Sequence, residues 1–408
     1  MMAQGQLPPP PCLPHTALPH IALPHIALSR IGRGVVILHD AWWMGGMTEW
    51  QGEGVGGAGR SHEALCAALA AAMAADPATA AWAGAALVPM RDKGLAHDHI
   101  RLSGTGLLAR VPKQSQMDLR AAENLAYQAA CFRRAGPSGH VPRLHAVLAP
   151  AKGLAHGALI VEEVAGRVAR LPGDLPAIAR ALGAIHALAK PAVAAPLLAP
   201  ADPLAALRDE IAAQGVHLAA AGLAPATRAL VEREVAGLLA LCARPARPAT
   251  CLISFDAHPG NYLFRDDGAA VLVDLEKARY GAPSLDLAHA TLYTSTTWDV
   301  EASAVLSIDD IAAFHEAWAA VPGVPEGDGW HVALRRAMWL WSVTWCAKWR
   351  ALSGARRRAS ADGEDWSAEV SDGALIAHVR GRVDHYLSPE VVERCLGEFA
   401  TLDALLAG

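Results

Sequence analysis

The stretch SFDAHPGN, residues 254–261, follows one apolar run of the chain and precedes another. It places a carboxylate, an imidazole, a Pro-Gly corner and an amide side by side. Proline, glycine and asparagine are turn formers, so one interpretation of the stretch is an ordinary turn. The other interpretation is a loop that carries chemistry, and the surrounding sequence decides between the two.

Three polar residues in and after this stretch have the composition of a phosphoryl-transfer site. Such a site needs a carboxylate near the attacking hydroxyl group, together with an amide and a second carboxylate whose oxygens hold Mg²⁺ against the nucleotide phosphates. Asp256, Asn261 and Asp274 supply these types in that order. The runs TCLISFD (250–256) and AAVLVDLE (269–276) are strand-like, which predicts a short hairpin that presents the three residues.

The segments DAHPGNYLF (256–264) and VLVDLEKARYGAPSLDLA (271–288) resemble the signatures D-x-H-P-x-N and I-D-x-E…G-x-P-x-x-D-L-A of the aminoglycoside phosphotransferase and choline kinase-like family. Looser similarity extends over 85–300. The resemblance implies a bilobal, protein-kinase-like α+β fold, with a small antiparallel-sheet N-terminal lobe and a larger, mostly helical C-terminal lobe. It also implies ATP and Mg²⁺ as cofactors.

The same resemblance assigns roles to residues of the two segments. Asp256 would be the catalytic base or the residue that orients the hydroxyl group, and Asn261 and Asp274 would be the Mg²⁺ ligands. The remaining members have supporting roles: Asp286 anchors the loop, His258 braces it, and Glu276 lies near the metals or substrate or caps the segment.

One pair of residues departs from the family pattern. The family usually has His-Gly immediately before the catalytic aspartate, whereas this chain has Ser254-Phe255. The departure favours an alternative function, a catalytically weak kinase-like protein that binds a nucleotide or metabolite in a regulatory role. The presence of both metal ligands and the base favours an enzyme. A protein kinase is excluded because the chain has no H-R-D or D-F-G triplet.

The first half of the chain predicts an antiparallel sheet with one inserted helix. Short apolar runs are separated by glycine-containing breaks, and the segment SGTG (103–106) predicts the turn between the second and third strands. An amphipathic helix is expected over 118–136. The predicted strands are 85–90, 99–102, 107–111, 143–149 and 157–164.

Nucleotide-binding residues are expected in this first lobe. In the family a cation on the third strand holds the phosphates and pairs with a glutamate on the next helix; Arg110 and Lys113 are both candidates for the cation, and Glu123 is the candidate partner. The loop 91–98 would cover the phosphates, with Gly94 as its one glycine and with His97 and His99 either near phosphate or on the strand surface. The hinge would offer the main chain of Glu162, Glu163 and Val164 to adenine.

The acceptor side is expected on the helices that follow. Trp341, Trp345 and Trp349 recur every four residues and form one stripe on a helix. The stripe is either core packing or a cation-π surface for an amine or a stacking wall for a sugar. Asp299 lies in the region where an aminoglycoside would need acidic groups. The expected acceptor is a hydroxyl of a small molecule, such as an aminoglycoside, an amino alcohol such as choline, or a sugar-like compound.

Composition limits the partners and the compartment. A net charge of -5 gives no global basic surface for nucleic acid. Seven scattered cysteines without C-x-x-C spacing indicate reduced thiols in the cytoplasm, and no apolar run is long enough to predict a membrane span. The oligomeric state is not set by the sequence. Three regions are predicted: an extension over 1–60 outside the folded domain, an N-terminal lobe over 61–163, and a C-terminal lobe over 164–408.

Overall fold

The computed structural model describes residues 62–91, 94–325, 329–353 and 373–407. The predicted extension over 1–60 lies outside the described residues, so it stays a prediction. All of the described residues belong to one compact unit of the chain.

The first lobe is built on a five-stranded antiparallel sheet with the strand order β1-β2-β3-β5-β4. The predicted sheet and its inserted helix are therefore confirmed. Helix α2 connects β3 to β4, and helix α1 precedes β1. The bounds are α1 His62–Ala75, β1 Leu87–Pro89, β2 His97–Leu102, β3 Leu107–Pro112, α2 Ala121–Ala135, β4 Leu144–Leu148 and β5 Ala158–Glu162.

Alternating residues of β5 explain why the sheet carries a helix on each face. Side chains of neighbouring strand residues point to opposite faces. Leu159 and Val161 belong to the apolar cluster that contains α2, whereas Ala158 and Ile160 belong to the cluster that contains α1. The segment 103–106 turns the chain between β2 and β3, as predicted, with both of its glycines at positive φ.

The second lobe consists mainly of helices. The longest of its described helices has a buried face and carries the tryptophan stripe. None of the described helices is both long and apolar enough to cross a membrane. The bounds are α3 Leu175–His186, α4 Pro203–Gly215, α5 Pro225–Cys242, α6 Pro283–Thr291, α7 Tyr293–Thr296, α8 Ile308–Ala319, α9 His331–Leu352, α10 Gly373–Tyr386 and α11 Pro389–Ala407.

The short strands of the second lobe correct the predicted hairpin. The two apolar runs around 254–261 do not pair with each other: β7 pairs with β10, and the order in the other sheet is β6-β8-β9. A 3-10 turn at Pro259–Asn261 and strand β8 lie between the two runs, and the second run pairs with β8 rather than with β7. The bounds are β6 Arg167–Val168, β7 Cys251–Ile253, β8 Tyr262–Phe264, β9 Ala270–Leu272 and β10 Arg279–Gly281.

Candidate functional site

The loop 254–261 joins β7 to β8 and is held from below by helix α6. The fully buried carboxylate of Asp286 accepts hydrogen bonds from the backbone N–H groups of Ser254 (2.7 Å) and Phe255 (2.8 Å). His186 Nε2 lies 3.2 Å from the same carboxylate, and Trp318 Nε1 donates to His186 Nδ1 at 3.0 Å. Since Nδ1 accepts, the Nε2 proton of His186 points at Asp286. Asp286 thus has the position of a loop anchor.

Ser254 and Phe255 occupy the positions at which the resembled signature has His-Gly. Ser254 Oγ accepts the N–H of Asp256 at 3.1 Å and so supports the loop from within. Phe255 has φ 57, which places a non-glycine residue in the left-handed region. Few side chains other than Asn and Asp adopt this conformation without strain.

Asp256 forms a shielded ion pair with a lysine that the motif analysis did not single out. Lys277 Nζ lies 2.8 Å from Asp256 Oδ2, and His289 Nδ1 lies 3.9 Å from Oδ1. Burial raises the pKa of Asp256, but the charges of Lys277, His258 and His289 outweigh burial and lower it. Asp256 is therefore ionised at neutral pH. A lysine three positions after Asp274 was the available signal for Lys277.

Asn261 links the two loops of the site. Its side-chain Nδ2 donates to the backbone carbonyl of Asp256 at 2.9 Å. The backbone carbonyl of Asn261 accepts the N–H of Val273, also at 2.9 Å. Asp274 follows directly after Val273. The structure therefore brings Asp256, Asn261 and Asp274 together, although they come from two separate loops.

Arg110 reaches Asp274 across the cleft between the lobes. The buried guanidinium of Arg110 lies 2.8 Å from Asp274 Oδ1 and donates to the carbonyl of Val273 at 2.8 Å. Burial raises the pKa of Asp274, but the positive charge of Arg110, together with those of its neighbours, has the larger opposite effect. The pKa of Asp274 therefore lies well below its ordinary value. Lys113 instead lies 3.8 Å from Asp98.

The prediction that Glu123 pairs with the phosphate-binding cation, Arg110 or Lys113, is wrong. Glu123 is exposed on α2 and pairs with Arg120, the residue just before that helix, rather than with Arg110 or Lys113. The physical reason is the orientation of α2: Asn124 and Gln128 lie on its buried face, so Glu123 faces solvent.

A buried cluster of His97 and Glu276 adjoins Asp274. One ligand atom from each of these three side chains lies within 4.8 Å of the others. Burial and the charge of Asp274 raise the pKa of Glu276 to about 8. His97 bonds Gln128 at 2.9 Å, and burial and Arg110 lower the pKa of His97 to about 3. His97 is therefore buried in the site, not on the strand surface.

The predicted nucleotide-binding segments flank the cleft. Gly94 is exposed in the loop between β1 and β2, whose residues 92 and 93 lie outside the described part. The side chains of Glu162 and Glu163 pair with Arg265 and Arg101, respectively. Within the described residues, neither the N–H nor the C=O of Val164 has a hydrogen-bond partner in the protein. The backbone N–H groups of Glu162 and Glu163 instead donate to the carbonyls of Arg143 and Gly106, at 2.8 Å each. The role of the hinge in adenine binding stays a prediction.

The tryptophan stripe divides between two surroundings. Trp341 packs against the ring of Phe255 (centroids 5.2 Å apart), donates to Glu210 at 3.1 Å, and has Lys277 Nζ 5.7 Å from its ring centre. Trp345 packs against Trp298, with ring centroids 5.9 Å apart. Trp341 therefore packs against the loop 254–261, whereas Trp345 joins a separate aromatic group.

Asp299 lies against the loop 254–261 near Gly260. A Cβ atom added to Gly260 would come within 2.7 Å of Asp299 Cβ and 3.0 Å of His258 Cε1. The rings of His258 and His289 have centroids 6.0 Å apart. Gly260 is therefore needed for the close approach of Asp299, which places this carboxylate and two imidazoles on the side of the loop that carries Asp256.

Comparisons with known proteins agree with this geometry. The model of a family described as the phosphotransferase enzyme family, APH, matches residues 93–324. A choline/ethanolamine kinase family protein from Mesorhizobium loti has 19% identity, a TM-score of 0.51, and an alignment that covers 82% of this chain and 99% of that chain. A Ralstonia eutropha protein provisionally assigned as an aminoglycoside phosphotransferase has 15% identity, a TM-score of 0.51, and coverage of 82% and 98%. A search of the curated proteins found no match.

At these identities the two structures show a shared fold. The predicted class, a bilobal protein-kinase-like α+β fold, is therefore confirmed.

Proposed function

Because the chain belongs to the phosphotransferase enzyme family, we propose that it is a small-molecule kinase that uses ATP and Mg²⁺ to phosphorylate a hydroxyl group. The acceptor would be an aminoglycoside, an amino alcohol such as choline, or a sugar-like compound. One observation carries the proposal: the carboxylates of Asp256 and Asp274, each 2.8 Å from a shielded cation, lie on two loops joined by Asn261.

Asp256 would orient the acceptor hydroxyl and take its proton. As the oxygen–phosphorus bond forms, the bond between the γ-phosphorus and its bridging oxygen breaks and ADP leaves. The ion pair with Lys277 supports this role because it keeps the carboxylate ionised and therefore able to accept a proton. Lys277 also offers a positive charge close to the transferred group.

Asn261 and Asp274 would hold Mg²⁺. Both offer oxygen donors, which this hard cation prefers. The Asn261 Nδ2 group is already bonded to the Asp256 carbonyl, which leaves the amide oxygen for a ligand. Magnesium, when bound, neutralises charge on the transferred phosphoryl group. Glu276 would stay neutral near pH 7 beside Asp274, because its pKa is about 8.

The first lobe would hold the nucleotide. Arg110 is favoured over Lys113 as the phosphate-binding cation, because Arg110 reaches Asp274 whereas Lys113 lies beside Asp98. Val164, with Glu162 before it, would bond the adenine edge through the main chain. The loop that contains Gly94 would cover the phosphates.

The acceptor would enter beside Asp299. A carboxylate at the loop favours an acceptor with a cationic amine, and Trp341 next to Lys277 limits the depth of the site. Trp345 packs against Trp298, which supports a core role for that residue. ATP as substrate, with reduced thiols, fits a cytoplasmic enzyme. Ser254 Oγ supports the Asp256 backbone, which favours catalysis over the regulatory alternative.

An acceptor screen tests the proposal. The full chain is incubated with ATP, Mg²⁺ and a panel of hydroxylated amines, sugars and aminoglycosides, and ADP release is measured. We expect acceptor-dependent release that Asp256→Asn removes and that Asp209→Ala, an exposed carboxylate on α4, leaves unchanged. Release that is the same in Asp256→Asn, or no release with any acceptor together with ATP binding, would overturn the enzyme and favour the regulatory protein.

A further inference from the structure

The left-handed residue of the catalytic loop carries a large buried side chain. Phe255 has φ 57 and is 2% exposed. A left-handed backbone is unfavourable for any residue with a Cβ atom, and glycine adopts it without strain. The fold therefore keeps a strained residue immediately before Asp256. The backbone hydrogen bonds to Asp286 hold the turn from one side, and the contacts of the phenyl group are its second support.

Arg279 and Trp341 contact the phenyl group of Phe255, and Glu210 links these two residues to each other. The guanidinium carbon of Arg279 lies 3.9 Å from the ring centre of Phe255, which is a cation-π geometry. Trp341 meets the same ring nearly edge to face, at an interplanar angle of 81°. Glu210 of helix α4 connects the two partners of Phe255, because it pairs with Arg279 and accepts a hydrogen bond from Trp341 Nε1 at 3.1 Å.

Phe255 and its two contact residues also adjoin both members of the Asp256–Lys277 pair. Phe255 immediately precedes Asp256 in the chain. Arg279 Nε donates to the backbone carbonyl of Lys277 at 3.2 Å. The Lys277 ammonium lies 5.7 Å from the ring centre of Trp341. A movement of the phenyl group would therefore shift the positions of both Asp256 and Lys277.

We propose that Phe255 is a positioning residue, whose ring, held between Arg279 and Trp341, keeps the left-handed turn that sets Asp256 against Lys277. The inference rests on the function proposed above, in that Asp256 is taken as the carboxylate that orients the hydroxyl group. It adds Arg279 and Glu210 as the residues through which helix α4 supports that carboxylate.

Glycine and alanine substitutions separate this role from simple packing. Both Phe255→Ala and Phe255→Gly remove the ring, but only alanine retains the strain. Hydrogen exchange of the 254, 255 and 256 amides in the protein without ligand should be about tenfold faster in Phe255→Ala than in Phe255→Gly, and slowest in the wild type. Turnover per folded molecule should follow the order Phe, Gly, Ala, with the KM for ATP unchanged.

Leu252 provides the matched control. It is buried in β7, where the backbone is extended, so glycine should be the worse substitution there by about threefold in exchange. If Phe255→Gly also exchanges faster than Phe255→Ala, the ring only fills space and the proposal is overturned. The exchange data are independent of activity. If the wild type showed no turnover, the proposed function would be rejected, but the order of the exchange rates would still test whether Phe255 holds the left-handed turn.

Arg279→Met gives a second route if the Phe255 variants do not fold. We expect faster exchange at 254–256 and about a tenfold lower kcat with the KM for ATP unchanged, because the cation no longer holds the ring. A double variant with Phe255→Gly should lose less than the product of the two single losses, since both act on one contact. Wild-type exchange and kcat in Arg279→Met would contradict the proposal.

Discussion

At the scale of single residues, two ion pairs set the electrostatics of the cleft. Burial alone would raise the pKa values of Asp256 and Asp274, yet Lys277 and Arg110 lower them. Both carboxylates are therefore charged, one suited to accept a proton and the other to bind a cation. Arg110 and Asp274 come from different lobes, so their pair also joins the two sides of the site.

Asp256→Asn tests the first carboxylate without a change in side-chain size. The kcat should fall by about 10²–10⁴-fold, because a positioned base is lost. The Kd for ATP should stay within about threefold, since the proposed role of Asp256 is to orient the acceptor rather than to bind the nucleotide. Isothermal titration and steady-state kinetics measure the two quantities. An equal loss of both would remove the role assigned to Asp256.

Arg110→Ala on β3 and Lys113→Ala immediately after β3 form a matched pair of variants. Arg110→Ala should raise the KM for ATP by about 10–100-fold, because a charge-assisted hydrogen bond to phosphate is lost. Lys113→Ala should change it by no more than about threefold, since Lys113 lies beside Asp98 instead. The reverse order of effects would assign the phosphate contact to Lys113.

Glu276→Gln tests the buried acid beside Asp274. The folded-state pKa of Glu276 is about 8, above its ordinary value of 4.5, so wild-type stability is full below pH 4.5 and is lost as the pH rises to 8. Glutamine cannot ionise, so the variant avoids that loss. Relative to wild type, it should be more stable by about 4 kcal/mol at pH 8 and by about 1 kcal/mol or less at pH 5. Thermal unfolding with a chelator and without nucleotide measures this; a difference independent of pH would contradict it.

At the scale of secondary-structure elements, helix α6 fixes the loop 254–261 to the helical lobe. Its Asp286 accepts two backbone N–H groups of the loop and one imidazole N–H. The chain thus supplies support from a distant helix at the place where a strained turn needs it. His186 and Trp318 extend the support to helices α3 and α8.

Asp286→Ala should therefore destabilise the protein far more than an exposed carboxylate does. The expected loss is about 3 kcal/mol or more, because buried donors are left without a partner. Asp309→Ala, in the exposed first turn of α8, should cost about 1 kcal/mol or less. Denaturant unfolding compares the two variants. A loss of similar size in both would show that Asp286 does not anchor the loop.

The elements themselves could be predicted from periodicity, but their pairing could not. The five strands and α2 have clear apolar patterns. Strands of three residues, such as β7 and β9, contain no register information, so the predicted hairpin was wrong. The Arg110–Asp274 pair could not be foreseen from local sequence, because its members come from different lobes. Glu123 was placed on the wrong face because the rotation of α2 depends on its packing, not on its spacing from β3.

At the scale of the whole molecule, side-chain contacts between the two lobes hold the site residues together. Helix α2 of the first lobe is fixed to the second by Tyr127, whose hydroxyl donates to the carbonyl of Ala278 at 2.8 Å. The motifs around 256–288 were enough to predict the fold class, because their residue types and spacing are specific. The acceptor does not follow from them: the spacing of Trp341 and Trp345 shows a shared helix face, but their different neighbours are set by tertiary packing.

Ligand binding should stabilise the whole molecule. ATP with Mg²⁺ at 100 times its Kd should stabilise the folded state by about 2.7 kcal/mol, because only that state binds it. A chelator should remove most of the shift, and so should Asp274→Asn with Mg²⁺ present. Differential scanning fluorimetry measures the effect. No shift at saturating nucleotide would count against both the enzyme and the regulatory alternative.

The central claim is that Asp256, Asn261 and Asp274 face one metal–nucleotide site. The most direct test is a crystal structure of the full chain with a non-hydrolysable ATP analogue and Mg²⁺, with Mn²⁺ in a parallel crystal to identify the metal by anomalous scattering. We predict a metal at about 2.1 Å from oxygens of Asn261 and Asp274, with phosphate next to Arg110 and the Asp256 carboxylate facing the γ-phosphate. A metal and triphosphate bound elsewhere, or side chains of positions 256, 261 and 274 that point away from a common cleft, would contradict it.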